Sequence, residues 1–139
     1  MSKALLEKSE DKKFRFLAYF LGTIHLPFGL AKLAGVETML VQWQQWGFPI
    51  WFLYFVGVAQ LLGGVGLFIR QLRLPASFSM ALIMLGAIPT VINTSIHFPD
   101  TATKSYINAV ICFVIMVLCL LVAKNRLIQL VDELAAENK

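Results

Sequence analysis

The sequence predicts an all-α integral membrane protein, a four-transmembrane-helix bundle with one outer amphipathic interfacial helix. Hydrophobic residues make up 58% of the 139 residues, close to what four bilayer spans of ~20 residues each require. Charged residues make up only 14%, against ~25% in an ordinary soluble domain. Eight charges lie in residues 1–15 and six in residues 124–139, so only six remain for the residues between. This distribution excludes a soluble globular domain, and the hydrophobicity excludes a disordered chain.

The spans follow from the intervals that carry few or no charges, and residues 1–139 are predicted to form a single membrane domain. The four spans are predicted at about residues 16–33, 51–69, 75–96 and 106–123. Each is long enough to cross a hydrocarbon core of ~30 Å at a helical rise of ~1.5 Å per residue. A transmembrane barrel is excluded, because the sequence lacks the alternating segments of ~10 residues that barrels contain.

Two segments outside the spans also have helical periodicity. In residues 36–46, apolar side chains that include Trp43 and Trp46 recur at spacings of three and four. Tryptophan is favoured at membrane interfaces, so this segment is predicted to be a helix on the outer surface. In residues 124–139, helical spacing continues through Leu127, Leu130, Val131 and Leu134. The fourth helix is therefore predicted to extend into a cytoplasmic tail.

The distribution of lysine and arginine predicts the orientation. With four spans, the N-terminus, the second loop and the C-terminus share one side, which holds all these residues except Lys32 and Lys104. Basic residues are enriched on the cytoplasmic side, so both termini are predicted to be cytoplasmic in a cell (inner) membrane. The pI of 9.3 is then explained by topology and anionic lipid headgroups, and nucleic acid is not an expected partner.

A cleaved signal peptide is the competing interpretation of the first 34 residues. A basic start and an apolar run are typical of such leaders, and Gly29-Leu30-Ala31 is a weak cleavage candidate. Acidic residues in the leader and Pro27 in the apolar run argue against cleavage. The first span is therefore expected to remain in the protein.

Five strongly polar residues in the predicted spans are the candidate ligand-binding set. They are His25, Lys32, Gln60, Asn93 and His97. At a helical rise of ~1.5 Å per residue, His25 and Gln60 lie near the midplane. Lys32, Asn93 and His97 lie toward the outer side. Polar groups in hydrocarbon need a partner or a purpose, so together they predict a cavity that opens toward the outer leaflet. The alternative is that these side chains only hydrogen-bond one another as packing contacts.

Small residues and prolines form the predicted structural set around these polar groups. Gly29 shares a helix face with His25 and Lys32, while Gly57 and Gly64 flank Gln60 in the same way. Gly63 forms a small-x-x-x-small pair with Ala59, a pattern that allows close helix packing.

Pro27 and Pro89 each remove one backbone hydrogen bond, which frees a carbonyl near the predicted cavity. Glu37 is a candidate ion-pair partner for Lys32 at the corner after the first span, although Lys32 could instead extend toward the outer headgroups.

The sequence predicts no catalytic residue and no metal or haem site. Cys112 and Cys119 lie seven residues apart on one predicted helix, ~10 Å and therefore too far for a disulfide. There is no Cys-x-x-Cys motif, and two histidines without suitable spacing do not form a zinc site. Bis-histidine haem ligation fits poorly, because the predicted depths of His25 and His97 differ.

An ordered series of short motifs resembles the DoxX-like membrane family over about residues 16–98. The series is FGLAKL at 28–33, WGFP at 46–49, VGVAQLLGGVGL at 56–67, RLPA at 73–76, MLGA at 84–87 and a histidine, His97. The resemblance implies a four-helix bundle. Its named member is a small subunit of a thiosulfate:quinone oxidoreductase, and distant eukaryotic relatives act in assembly or trafficking of membrane proteins. The family usually has Glu where this chain has Gln60, and an amide cannot take up a proton.

The sequence therefore favours an accessory or ligand-binding module whose outer cavity holds a quinone, a lipid or a partner segment. The first alternative is a membrane subunit of a quinone-linked sulfur or thiol oxidoreductase, with the redox centre on a partner. The second is an assembly factor or chaperone for other membrane proteins. A membrane-complex partner or a homodimer is compatible with the small-residue faces of the predicted helices.

Overall fold

A computed structural model describes residues 3–97 and 102–137 of the chain. It contains five helices, which are α1 (Lys3–Leu33), α2 (Glu37–Gln45), α3 (Ile50–Phe68), α4 (Arg73–His97) and α5 (Ala102–Glu137). The residues described contain no strand, which confirms the predicted all-α class. All but α2 are long and apolar enough to cross a membrane, over Asp11–Leu33, Ile50–Phe68, Arg73–Thr94 and Lys104–Glu137. The prediction of four transmembrane helices is thereby confirmed.

Glycine and proline determine where the helices around α2 begin and end. Gly35, with φ 64°, follows α1, and Gly47, with φ 75°, follows α2. Glycine adopts positive φ without the steric cost that a Cβ imposes, so the chain reverses at both positions. Pro49 then precedes the first residue of α3, where its missing N–H costs nothing. These turns place α2 across one end of the bundle.

The long helices pack as two pairs, with α1 chiefly on α3 and α4 chiefly on α5. Glycines bring α1 and α3 together along their length. A Cβ on Gly22 would lie 2.8 Å from the carbonyl oxygen of Gly64, and one on Gly29 would lie 3.0 Å from that of Gly57. These distances are shorter than a side chain tolerates, so the pair depends on glycine at the interface.

The bundle has a buried core at the end away from α2, here called the closed half: residues 11–24 of α1, 61–68 of α3, 73–81 of α4 and 116–130 of α5, beyond which residues 131–137 are exposed. Its buried core contains Leu21, Leu67, Met80, Cys119 and Val122. In this half the two helix pairs also approach closely, because a Cβ on Gly66 would lie 2.8 Å from the Cβ of Ala76. The core of the closed half therefore joins all four long helices.

A polar network joins the helices at the end of the closed half. Arg126 is 5% exposed; its Nε donates to the carbonyl of Arg70, and its Nη1 donates to Gln129 and Glu133. Arg70 forms an ion pair with the same glutamate, and Gln129 donates to Asp11 of α1. The network links α1, the α3–α4 turn and α5. A buried arginine is tolerated here because acceptors surround it.

Candidate ligand cavity in the open half

The remaining part of the bundle, the open half, contains a cavity of about 650 Å³. The open half comprises residues 25–33 of α1, α2 with the following turn, residues 50–60 of α3, 82–97 of α4 and 102–115 of α5. All five helices contribute lining residues. The cavity is thus bounded by both helix pairs and covered at one end by α2.

The cavity exists because the helix pairs separate where glycine no longer joins them. In the closed half Gly63 and Gly66 of α3 lie against Met80 and Ala76 of α4. In the open half the lining residues of α3 are mostly bulky, as at Phe52 and Leu53. Gly86 of α4 lines the cavity, and a Cβ added there would meet nothing within 4 Å.

Lys32 and Gln60 form the polar centre of the cavity. The Lys32 Nζ donates to the Gln60 Oε1 at 2.7 Å, which joins α1 to α3. Gln60 is 4% exposed, and the lysine ammonium lies 5.9 Å from the centre of the Phe28 ring. Among the residues described, Lys32 has no ion pair with a carboxylate. The predicted alternative pair with Glu37 is therefore not formed, because the lysine turns inward to the amide.

His25 lies two turns from Lys32 along α1 and lines the same cavity. Its side chain is buried, and its Nδ1 lies 2.7 Å from the carbonyl oxygen of Leu21. A carbonyl can only accept, so Nδ1 carries a proton and the neutral ring keeps an acceptor at Nε2. The imidazole bonds to the carbonyl of Leu21, and not to the carbonyl that Pro27 was predicted to free near the cavity. His25 is thereby held in one orientation with one acceptor still available.

Aromatic residues on and after α2 cover the end of the cavity. Trp43 lies 5.5 Å from Trp46, 5.6 Å from Phe48 and 6.1 Å from Phe52, measured between ring centroids. The Trp46 Nε1 donates to the Thr94 hydroxyl of α4. The Trp43 Nε1 is buried, and within the described part of the chain it has no hydrogen-bond partner. The cover is thus held by aromatic packing and by one side-chain hydrogen bond to α4.

Three of the five predicted ligand-binding residues, His25, Lys32 and Gln60, line this cavity together. Asn93 lies on an exposed position of α4 outside the lining. His97 is the last residue of α4, and its side chain lies outside the described part of the structure. The roles predicted for these last two residues stay predictions.

Several lining residues were not predicted as part of the cavity, among them Trp43, Thr90, Asn108 and Cys112. Asn108 could have been found, because it is a polar residue within the predicted fourth span. Trp43 was predicted only as an interfacial residue. Cys112 and Cys119 are both free thiols, the first in the cavity lining and the second buried in the closed half.

The model of a family described as the DoxX-like family matches residues 16–122, which is most of the chain. No curated protein and no solved structure matches the chain.

Proposed function

Because this chain belongs to the DoxX-like family and has four helices able to span a membrane, we propose that it is an accessory, ligand-binding membrane protein. Its ligand is an amphipathic molecule, a quinone or a lipid, that occupies the cavity of the open half. The observation that carries this proposal is the composition of the cavity wall. Polar side chains at Lys32, Gln60 and His25 are surrounded by aliphatic and aromatic residues.

The size and wall of the cavity support a small amphiphile. At about 650 Å³, the cavity falls within the ~300–1,000 Å³ of ordinary ligand pockets, which are mostly apolar with a few placed polar groups. A polar head would lie near the Lys32–Gln60 pair, where donors are available. Its hydrocarbon part would lie among residues such as Phe52, Ile83 and Ile115.

The cavity rim supports entry from the bilayer. Two of its lining residues, Phe55 and Leu82, are 61% and 53% exposed. They belong to helices that are long and apolar enough to cross the membrane, so these exposed side chains would contact lipid chains. An amphiphile could therefore enter sideways from the bilayer without first crossing water.

An accessory role is supported by the chemistry of two positions. An amide at Gln60 cannot take up a proton and pass it on during quinone chemistry, whereas a carboxylate could. Cys112 and Cys119 lie two turns apart on α5, too far to form a disulfide with each other. The second candidate function is a membrane subunit of a quinone-linked thiol or sulfur oxidoreductase. The observation that favours it is the Cys112 thiol in the cavity lining.

The proposed orientation places both termini in the cytoplasm of a cell with an inner membrane. Among the basic residues that the structure describes, only Lys32 and Lys104 lie at the other end of the bundle, which follows the positive-inside rule. The open half and its α2 cover then belong to the outer leaflet, and the extended α5 ends in the cytoplasm.

Native mass spectrometry of the purified full chain, with Ala59→Phe and Val58→Phe variants, tests the binding proposal. Ala59 lines the cavity, whereas its neighbour Val58 is exposed and outside the lining. The wild type and Val58→Phe should carry a co-purified amphiphile, and Ala59→Phe should lose at least ~90% of it, since a ring excludes the ligand from the cavity. A wild type without any amphiphile, or equal occupancy in all three proteins, would refute the proposal.

A further inference from the structure

We infer that the cavity selects amphiphiles whose head group is an oxyanion, a carboxylate or a phosphate monoester, over neutral ones. This inference rests on the proposed function, because it assigns the head group of the ligand bound in the same cavity. It follows from an unbalanced charge at Lys32 and from an excess of hydrogen-bond donors around it.

The charge at Lys32 is not neutralised by the described part of the protein. Its ammonium donates to the uncharged amide of Gln60 and forms no ion pair with a described carboxylate. The Phe28 ring, at 5.9 Å, lies near the limit of a cation–π contact and offers little compensation. A cation removed from water is costly unless an anion lies beside it. A ligand oxyanion would supply that partner.

Extension of Lys32 to the lipid headgroups would remove this need, but the geometry shows a different arrangement. A snorkelling lysine directs its ammonium along the helix surface toward water. Here the Nζ points to Gln60 on α3, and that amide is 4% exposed. The ammonium is thus held toward the bundle interior, where a ligand in the cavity can reach it.

Donors also outnumber acceptors around the polar centre. Lys32 has three N–H groups, and one of them is used by Gln60. The Gln60 oxygen accepts that bond, which leaves its amide N–H groups as donors. An alcohol head group brings a donor of its own, and a quinone brings acceptors without charge. A carboxylate or phosphate combines acceptors with the negative charge that Lys32 lacks, so it matches this set better than either.

The test compares head groups on otherwise similar chains. Purified full chain in nanodiscs is titrated with oleate, lysophosphatidic acid, monoolein and decylubiquinone, and binding is followed by tryptophan fluorescence. Trp43 and Trp46 line the cavity, so they report occupancy directly. The oxyanionic ligands should bind at least about tenfold tighter than the neutral ones, the difference expected for hydrogen bonds to a charged group. Whether oleate or lysophosphatidic acid binds tighter identifies the source of the oxyanion.

Variants assign the preference to Lys32. Lys32→Met should weaken binding of the oxyanions about tenfold and leave binding of the neutral ligands unchanged, since only the charged contact is lost. Lys32→Arg should keep the preference. Lys104→Met is the matched control, because Lys104 is an exposed lysine of the same half that does not line the cavity. It should behave as the wild type.

Two results overturn the inference and can be told apart. Equal binding of neutral and anionic ligands by the wild type, blocked by Ala59→Phe, would refute the oxyanion preference and leave cavity binding intact. Absence of binding by every amphiphile would refute both proposals. The wild-type comparison needs no variant, so a folding defect in Lys32→Met cannot obscure the result.

Discussion

The closed and open halves are built from the same four long helices, yet only the closed half is filled by side chains. Two methionines on α4 show the contrast. Met80 is fully buried in the core of the closed half, whereas Met84, one turn further along, is also buried but lines the cavity. The helices are continuous through both halves, so the difference arises from the contacts between helices.

The position of glycine explains this difference. Between α1 and α3, glycines occur in both halves, at Gly22 and Gly64 and again at Gly29 and Gly57. Between α3 and α4, the described glycines that contact the facing helix lie in the closed half, at Gly63 and Gly66. Small residues allow helix backbones to approach, and bulky ones keep them apart. The contact between α1 and α3 is therefore close along its whole length, whereas the contact between α3 and α4 is close only in the closed half.

The hydrogen bonding of buried polar groups also differs between the two halves. In the closed half, the buried Arg126 donates to three oxygen acceptors. In the open half, Lys32 has an amide oxygen as its partner, and the Trp43 Nε1 has none in the described chain. Satisfied networks make a region rigid, whereas available donors are typical of a binding site.

The largest difference between the halves is expected from Met80→Ala and Met84→Ala. Met80→Ala creates a new void in a filled core and should lower the free energy of unfolding by ~2–5 kcal/mol. Met84→Ala only enlarges an existing cavity, so it should lower the free energy of unfolding by less than about half as much as Met80→Ala does. Reversible unfolding of both variants in mixed micelles measures the difference. Equal losses would mean that the two halves are packed alike.

A smaller difference is expected from alanine at two helical glycines. A Cβ on Gly22 would lie 2.8 Å from the Gly64 carbonyl oxygen and 2.7 Å from the Phe68 ring, so Gly22→Ala should lower the free energy of unfolding by ~1–3 kcal/mol. Gly86 faces open space. Gly86→Ala should raise stability by up to ~1 kcal/mol, because alanine favours the helix. The same unfolding assay applies. A lower stability of Gly86→Ala would show that the space beside Gly86 is already filled.

The sequence was sufficient to predict the all-α class and the four helices, because both depend on hydrophobicity along the chain. It also identified His25, Lys32 and Gln60, since polar residues in an apolar span are rare enough to be informative. Asn93 was grouped with them by depth alone, and it lies outside the cavity lining. Depth follows from position along a helix. The direction in which a side chain points depends on how that helix is rotated against its neighbours.

The division into two halves could not be predicted in the same way. The glycine-rich motif of α3 was recognised, but its partners on α4 depend on the crossing of the two helices. Gly63 lies against Met80, and Gly66 against Ala76, and no periodicity within one segment contains that pairing. The same limit applies to Trp43, which was predicted only as an interfacial residue. Its contacts with Phe48 and Phe52 form only when the chain turns at Gly47.

The smallest effect on stability is expected at the cover of the open half. α2 contains no buried residue, and one side-chain hydrogen bond, from Trp46 to Thr94, joins this cover to α4. Trp46→Phe removes the donor while the Thr94 hydroxyl still donates to the Thr90 carbonyl. Stability should therefore fall by only ~0.5–1.5 kcal/mol, the usual contribution of one hydrogen bond.

The larger consequence of Trp46→Phe should be faster amide hydrogen exchange, confined to the open half. Amide hydrogen exchange should accelerate in α2, because local opening needs less free energy than global unfolding, while exchange in the closed half of α5 should be unchanged. Trp51→Phe is the control, since it removes the same ring atoms from a side chain that is 68% exposed. Faster exchange in both halves would show that the cover and the closed core open together. In that case the two halves would be one cooperative unit, and the cavity would not open independently of the closed core.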